Sequence, residues 1–319
     1  MSGSPRKAKA ENYHEKASTL IISLADQIAY GGKRMTNTSQ KNRTIMSVIA
    51  IVVGLLMVTV VPFITQTSLD RVLRGLTAHV QAGNPGFASG IPLFDLFYPI
   101  WRAIIFVAGI ALIAISQEIR KGAAWTYPLA MVLFAMPAIG GMFMFLPYVS
   151  WVDGFPLPMI VSVIGLLGYF SFIFLPKAAT AQKWVRFATL TFIGMLTTHA
   201  FTIGIGAVRT MATRPGHPFY QDITWWIFNM VGEVNWVAVV LLILSIPLLA
   251  IGRRKGWWLA VIAAIAILAI NVPTQILRTK TLDYLYGALL AAGVLVFTLT
   301  PYFKKRLLVD ETVGPVPEQ

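Results

Sequence analysis

Ten residues of this chain could do chemistry together: Arg102, His199, His217, Asp222, Trp225, Trp226, Glu233, Asn235, Asn271 and Gln275. Their imidazole, carboxylate and amide groups supply hydrogen-bond donors and acceptors side by side. In an apolar surround, such a set would take the polar head of a lipid or a quinone, or a small polar solute. Metal chemistry is the weaker reading: His199, His217, Asp222 and Glu233 contain no pair at the i, i+3 or i, i+4 spacing that puts two ligands on one helix face. Only His199 among the four histidines falls within an apolar run, which argues against a haem held by two histidines of this chain. The sequence therefore calls for no cofactor of the chain's own, leaving lipid or quinone as the ligand such a pocket would take.

Each residue also has a plainer use. Arg102 can extend to lipid head groups, and the tryptophans suit an aromatic belt at the membrane interface. His199, near Thr198 and Thr202, suits a hydrogen-bonded helix contact, and "DITWWIFNM" suits a helix lying flat before the chain turns into the membrane. Catalytic signatures are missing: there is no glycine-rich phosphate loop, H-E-x-x-H motif or pair of aspartates on one helix. "GFASG" comes near a nucleophile elbow, but Ser89 stands one position late.

The elements that must position these residues follow from composition. The chain has 319 residues, 56% hydrophobic and 12% charged, with mean hydropathy +0.70, whereas soluble domains carry about 25% charge. Apolar runs near 46–65, 98–116, 126–147, 156–175, 187–208, 231–251, 257–277 and 284–303 are read as transmembrane helices, since a hydrocarbon layer of ~30 Å needs about 20 helical residues. An all-α integral membrane bundle of eight spans results. Counting along alternating spans, His199, Glu233, Asn235, Asn271, Gln275 and Arg102 all fall in the outer half.

Orientation comes from the basic residues, which resist translocation in short loops. Nineteen of the 26 lie in the N-terminal segment, alternate loops and the C-terminal end, and six in the opposite loops. Both termini are thus expected in the cytoplasm of a prokaryotic cell, with the protein in its plasma membrane. The net charge of +13 is then a topology signal that also attracts anionic lipids. Nucleic acid is not an expected partner, because the short loops leave no room for a folded basic surface. Absence of cysteine rules out disulfides and thiolate ligands in this chain, and no cleavable signal is read at the N-terminus.

Three regions are expected: a basic tail (1–45) with a short amphipathic helix, the membrane domain (46–303) and a polar tail (304–319). Residues 66–97 and 209–230 read as outer loops. Two pairs of similar stretches are compatible with a parallel four-plus-four repeat: "PLFDLFYPIW" with "PFYQDITWWIF", and "RKGAAW" with "RKGWW". Small residues such as Gly165, Gly168, Gly204, Gly206, Gly287 and Ala291 mark close helix packing, and Pro62, Pro137, Pro247 and Pro273 mark bends. The leading functional expectation is an accessory or scaffold subunit of a larger membrane assembly, in which energy transduction is one option. The alternatives are a small-molecule or lipid permease with an outer polar pocket, and a quinone-reactive or outward-facing enzyme subunit.

Overall fold

The computed structural model of the chain describes residues 38–212, 223–277 and 281–308. The amphipathic stretch before residue 38, most of the polar C-terminal tail, His217 and Asp222 lie outside the described residues. Everything regular among the described residues is helical, with no strand. The helices are α1 (Gln40–Thr59), α2 (Val61–Gln81), α3 (Gly90–Lys121), α4 (Thr126–Trp151), α5 (Pro158–Phe174), α6 (Thr180–Ala212), α7 (Ile223–Ala250), α8 (Arg254–Leu277), α9 (Asp283–Leu299) and α10 (Pro301–Leu307). A single 3-10 turn, Pro85–Phe87, joins α2 to α3.

Six of these helices are long and apolar enough to cross a membrane, and a seventh is added if α9 and α10, bent by 72° at Thr300, count as one span. That composition fits a multi-pass membrane protein. The expected span over 156–175 is present as α5, an apolar helix of 17 residues.

Several boundaries differ from the expectation. The span expected over 46–65 begins earlier, where the Ser39 hydroxyl caps α1 by accepting from the Asn42 backbone N–H at 3.2 Å. It stops at Thr59, and Pro62 then stands in the first turn of α2, where a missing N–H costs nothing. Pro62 therefore opens a helix rather than bending one; Pro137, Pro247 and Pro273 lie inside α4, α7 and α8. Most of the expected outer loop 66–97 is helical. Val61, Thr65, Ser68, Leu69, Val72 and Leu76 form one buried stripe along α2, which rests on α3, α4 and α5. The loop expected over 209–230 is shorter than that, because α6 extends to Ala212 and α7 begins at Ile223. "DITWWIFNM" accordingly does not lie flat as a separate interfacial helix: from Ile223 onward it is the start of α7.

The helices close into two rings. In the first, α1 packs on α3, α3 on α4, α4 on α5 and α5 back on α1; in the second, α6, α7, α8 and α9 close the same way, and α4 joins the rings by touching α6 and α7. Closure of this kind is common to up-and-down helix bundles. The matching "RKG" stretches occupy different places: Gly122 ends α3 in the left-handed conformation (φ 82°), whereas Lys255 and Gly256 are in the first turn of α8 and the left-handed glycine there is Gly252.

Hydrogen bonds gather the basic helix ends at one end of the molecule. Asn42 Nδ2 donates to the Leu175 carbonyl (2.8 Å), Arg43 Nη1 to the Lys121 carbonyl (2.9 Å) and Gln182 Nε2 to the Arg306 carbonyl (3.1 Å), while Lys304 Nζ sits 4.1 Å above the Trp257 ring.

Candidate functional site

The second ring carries a polar layer. Asn235 on α7 and Asn271 on α8 are fully buried, and Asn235 Nδ2 donates to Asn271 Oδ1 at 3.0 Å and to the Val231 carbonyl at 2.7 Å. The second of these bonds fixes the Asn235 amide, because only the nitrogen can donate to a carbonyl. Its oxygen is then left over. Asn271 must turn its own oxygen toward Asn235, which leaves its nitrogen over as well. His199 on α6 joins them across α9: a methyl group on Gly287 would overlap Asn271 Nδ2 and lie 3.0 Å from both Nδ1 and Cε1 of His199. Glycine at 287 is therefore what admits both side chains.

Three atoms of this layer are buried without a hydrogen-bond partner among the described residues: His199 Nδ1, Asn235 Oδ1 and Asn271 Nδ2. Leaving a buried polar group unpaired costs about 1–3 kcal/mol, so three in one layer make it a place where a polar group can be taken up. An acceptor, a donor and an imidazole nitrogen that can be either form a complementary set for one small molecule.

Apolar clusters enclose the layer. One turn toward the start of α7 and α9, Ile203, Val231, Ile270 and Tyr284 form a small cluster of their own. On the other side Leu196, Val239, Ile267 and Ala291 belong to the main core. Apart from Ile270, which directly precedes Asn271, these residues follow from helix periodicity, since steps of three or four from His199, Asn235, Asn271 and Gly287 stay on the same face. Asp283, the exposed first residue of α9, lies beside His199 and acts on it through both its charge and its backbone.

The remaining expected members are elsewhere. Glu233 is exposed on α7. Arg102 donates to Gln66 Oε1 of α2, and Gln66 Nε2 donates in turn to Asp70 at 2.9 Å. Gln275 bridges α8 to α9: its Nε2 donates to the Thr281 carbonyl at 2.7 Å and its Oε1 accepts from the Leu285 backbone N–H at 2.9 Å. That bond satisfies one of the free N–H groups that open every helix, so Gln275→Leu is expected to lower the melting temperature, measurable by thermal unfolding. Trp226 is exposed near the start of α7. His217, Asp222 and the Trp225 side chain lie outside the described residues. Among the described residues no three His, Cys, Asp or Glu side chains come together as a metal site would need.

Two members of the layer were not anticipated in this role. Gly287 reads in sequence as a packing glycine, and Asp283 falls one residue before the apolar run it opens. No family model, curated protein or solved structure matches this chain.

Proposed function

We propose that the chain is an integral subunit of a larger plasma-membrane assembly whose second ring binds the polar head of a small neutral ligand of the quinone or lipid class. The observation that carries this reading is the convergence of His199 Nδ1, Asn235 Oδ1 and Asn271 Nδ2, buried and unpaired between two apolar clusters. A quinone carbonyl accepts from Asn271 Nδ2, and a quinol or lipid hydroxyl donates to Asn235 Oδ1 or His199 Nδ1. An apolar tail leaves between helices into the bilayer.

We place the basic helix ends and both termini in the cytoplasm, count α5 and the bent α9–α10 pair among eight spans, and so set the polar layer in the outer half. The two similarly closed rings support a four-plus-four arrangement, whereas the different placement of the "RKG" stretches counts against matching them residue by residue. On the outer side the layer is covered by the small cluster of Ile203, Val231, Ile270 and Tyr284, with Ile227, Met230 and Val234 packed against it. A permease would also have to open the larger main core toward the basic end, which is why binding is favoured over passage. Subunit partners have surface to occupy: Val48, Val52 and Leu55 on α1 and Val107 and Ile110 on α3 are exposed, and lipid or a neighbouring subunit covers such faces.

Native mass spectrometry from mild detergent tests both parts. The wild type is expected to carry a bound small-molecule mass together with other subunits, and Asn271→Leu to lose only the small molecule. A wild type with no bound small molecule, or a variant that keeps it, would overturn the site; a chain that flies alone would overturn the subunit assignment.

A further inference from the structure

A second site is independent of the polar layer and sits at the opposite, basic end. Arg186, in the second turn of α6, is 3% exposed, and its Nε and Nη2 are buried with no hydrogen-bond partner among the described residues. These two nitrogens are a matched pair. Around the planar guanidinium, the Nε–H and the Nη2–H on the same edge run parallel, which is the fork that grips two oxygens of one carboxylate or phosphate. Helical side chains lean toward the helix N-terminus, so the Arg186 stem runs toward the basic end.

Among the described residues no acid neutralises it. Among the described residues the one ion pair is Lys121 with Glu118, on α3. The neighbourhood is instead positive: Lys183 is three residues earlier on α6, and Gln182, one turn before Arg186, is bonded to α10, which carries Lys304, Lys305 and Arg306. The dipole of α6 also places its positive end there. A buried guanidinium without a partner is costly, and a counter-anion that fits its fork removes that cost.

We infer that Arg186 is the anchor of an oxyanion site that binds a phosphate group through Nε and Nη2 at the basic end of α6. The same chemistry is offered by an anionic phospholipid head group and by free phosphate.

The test uses the full chain in a neutral detergent, with thermal unfolding followed in three additions: inorganic phosphate, phosphatidylglycerol and phosphatidylcholine. The expected result is a rise of several degrees in the wild-type melting temperature with phosphate or phosphatidylglycerol and a smaller one with phosphatidylcholine. A rise with phosphate alone identifies the free ion as sufficient; a rise confined to phosphatidylglycerol identifies the lipid. Arg186→Lys keeps the charge but loses the fork and should show less than half the wild-type rise, and Arg186→Met, which removes the buried charge at similar length, should show none. Native mass spectra of the wild type with phosphatidylglycerol should show one adduct that survives at collision energies removing all others. No rise with either anion, or an equal rise and an equal resistant adduct in Arg186→Met, would overturn the site.

Discussion

Asn235→Leu is expected to destabilise the protein by about 1–3 kcal/mol, more than Asn271→Leu, and the double variant by clearly less than the two together. The asymmetry follows from the bonding. Losing Asn235 leaves the fully buried Asn271 amide with neither end paired, whereas losing Asn271 leaves the Asn235 nitrogen still bonded to the Val231 carbonyl. Replacing both with leucine removes the orphaned groups at once, and residues in direct contact are where additivity fails. Thermal or denaturant unfolding of the four proteins in detergent gives the coupling directly. If a ligand pairs with this layer, the wild type alone should also gain stability as ligand is added. Additive losses, with all four proteins indifferent to added quinone, would mean that the two amides neither act as a unit nor hold a ligand.

His199, Asn235 and Asn271 were legible as companions because depth can be counted along alternating spans, and three neighbouring helices carried them to one level. Depth does not give direction around the helix. Glu233 is two residues from Asn235, about 200° around the axis at 100° per residue, so the same count that placed it at the right height left it on the exposed face. Gln275 is one turn beyond Asn271 and shares its face, but that turn brings it level with the first N–H groups of α9, which take it up. Arg102 was misplaced for a different reason. Its partner Gln66 belongs to α2, a helix whose apolar residues form only a stripe, and averaging hydropathy along the chain hides a stripe within a polar segment. Arg186 was counted in sequence simply as a loop cation, because nothing in its local pattern says that α6 begins six residues before it and turns it inward. The long apolar helices were legible, six of them long enough to cross a membrane, since lipid leaves a helix no other way to satisfy its backbone.

The largest expected loss of fold lies in the first ring, where α1 crosses α3. Gly54 and Gly109 face one another there: a Cβ on either would lie 2.8 Å from the other's carbonyl oxygen, and the second near contact is also 2.8 Å, to Ile113 Cγ1 or to Met57 Cβ. None of these atoms is the loose end of a long side chain, so the helices themselves must separate. Gly109→Ala is therefore expected to lower stability, and Gly109→Leu to lower it by at least the ~1–3 kcal/mol typical of overpacking. Gly194, within α6, gives the opposite sign. Nothing lies within 4 Å of a Cβ added there, and alanine in place of glycine inside a helix gains roughly 0.5–1 kcal/mol. Two identical substitutions in two membrane helices should thus move the melting temperature in opposite directions, because close approach of backbones, and not hydrophobicity, is what holds helices together where the solvent is as apolar as they are. Gly109→Ala melting at or above Gly194→Ala would show that α1 and α3 do not meet at this crossing.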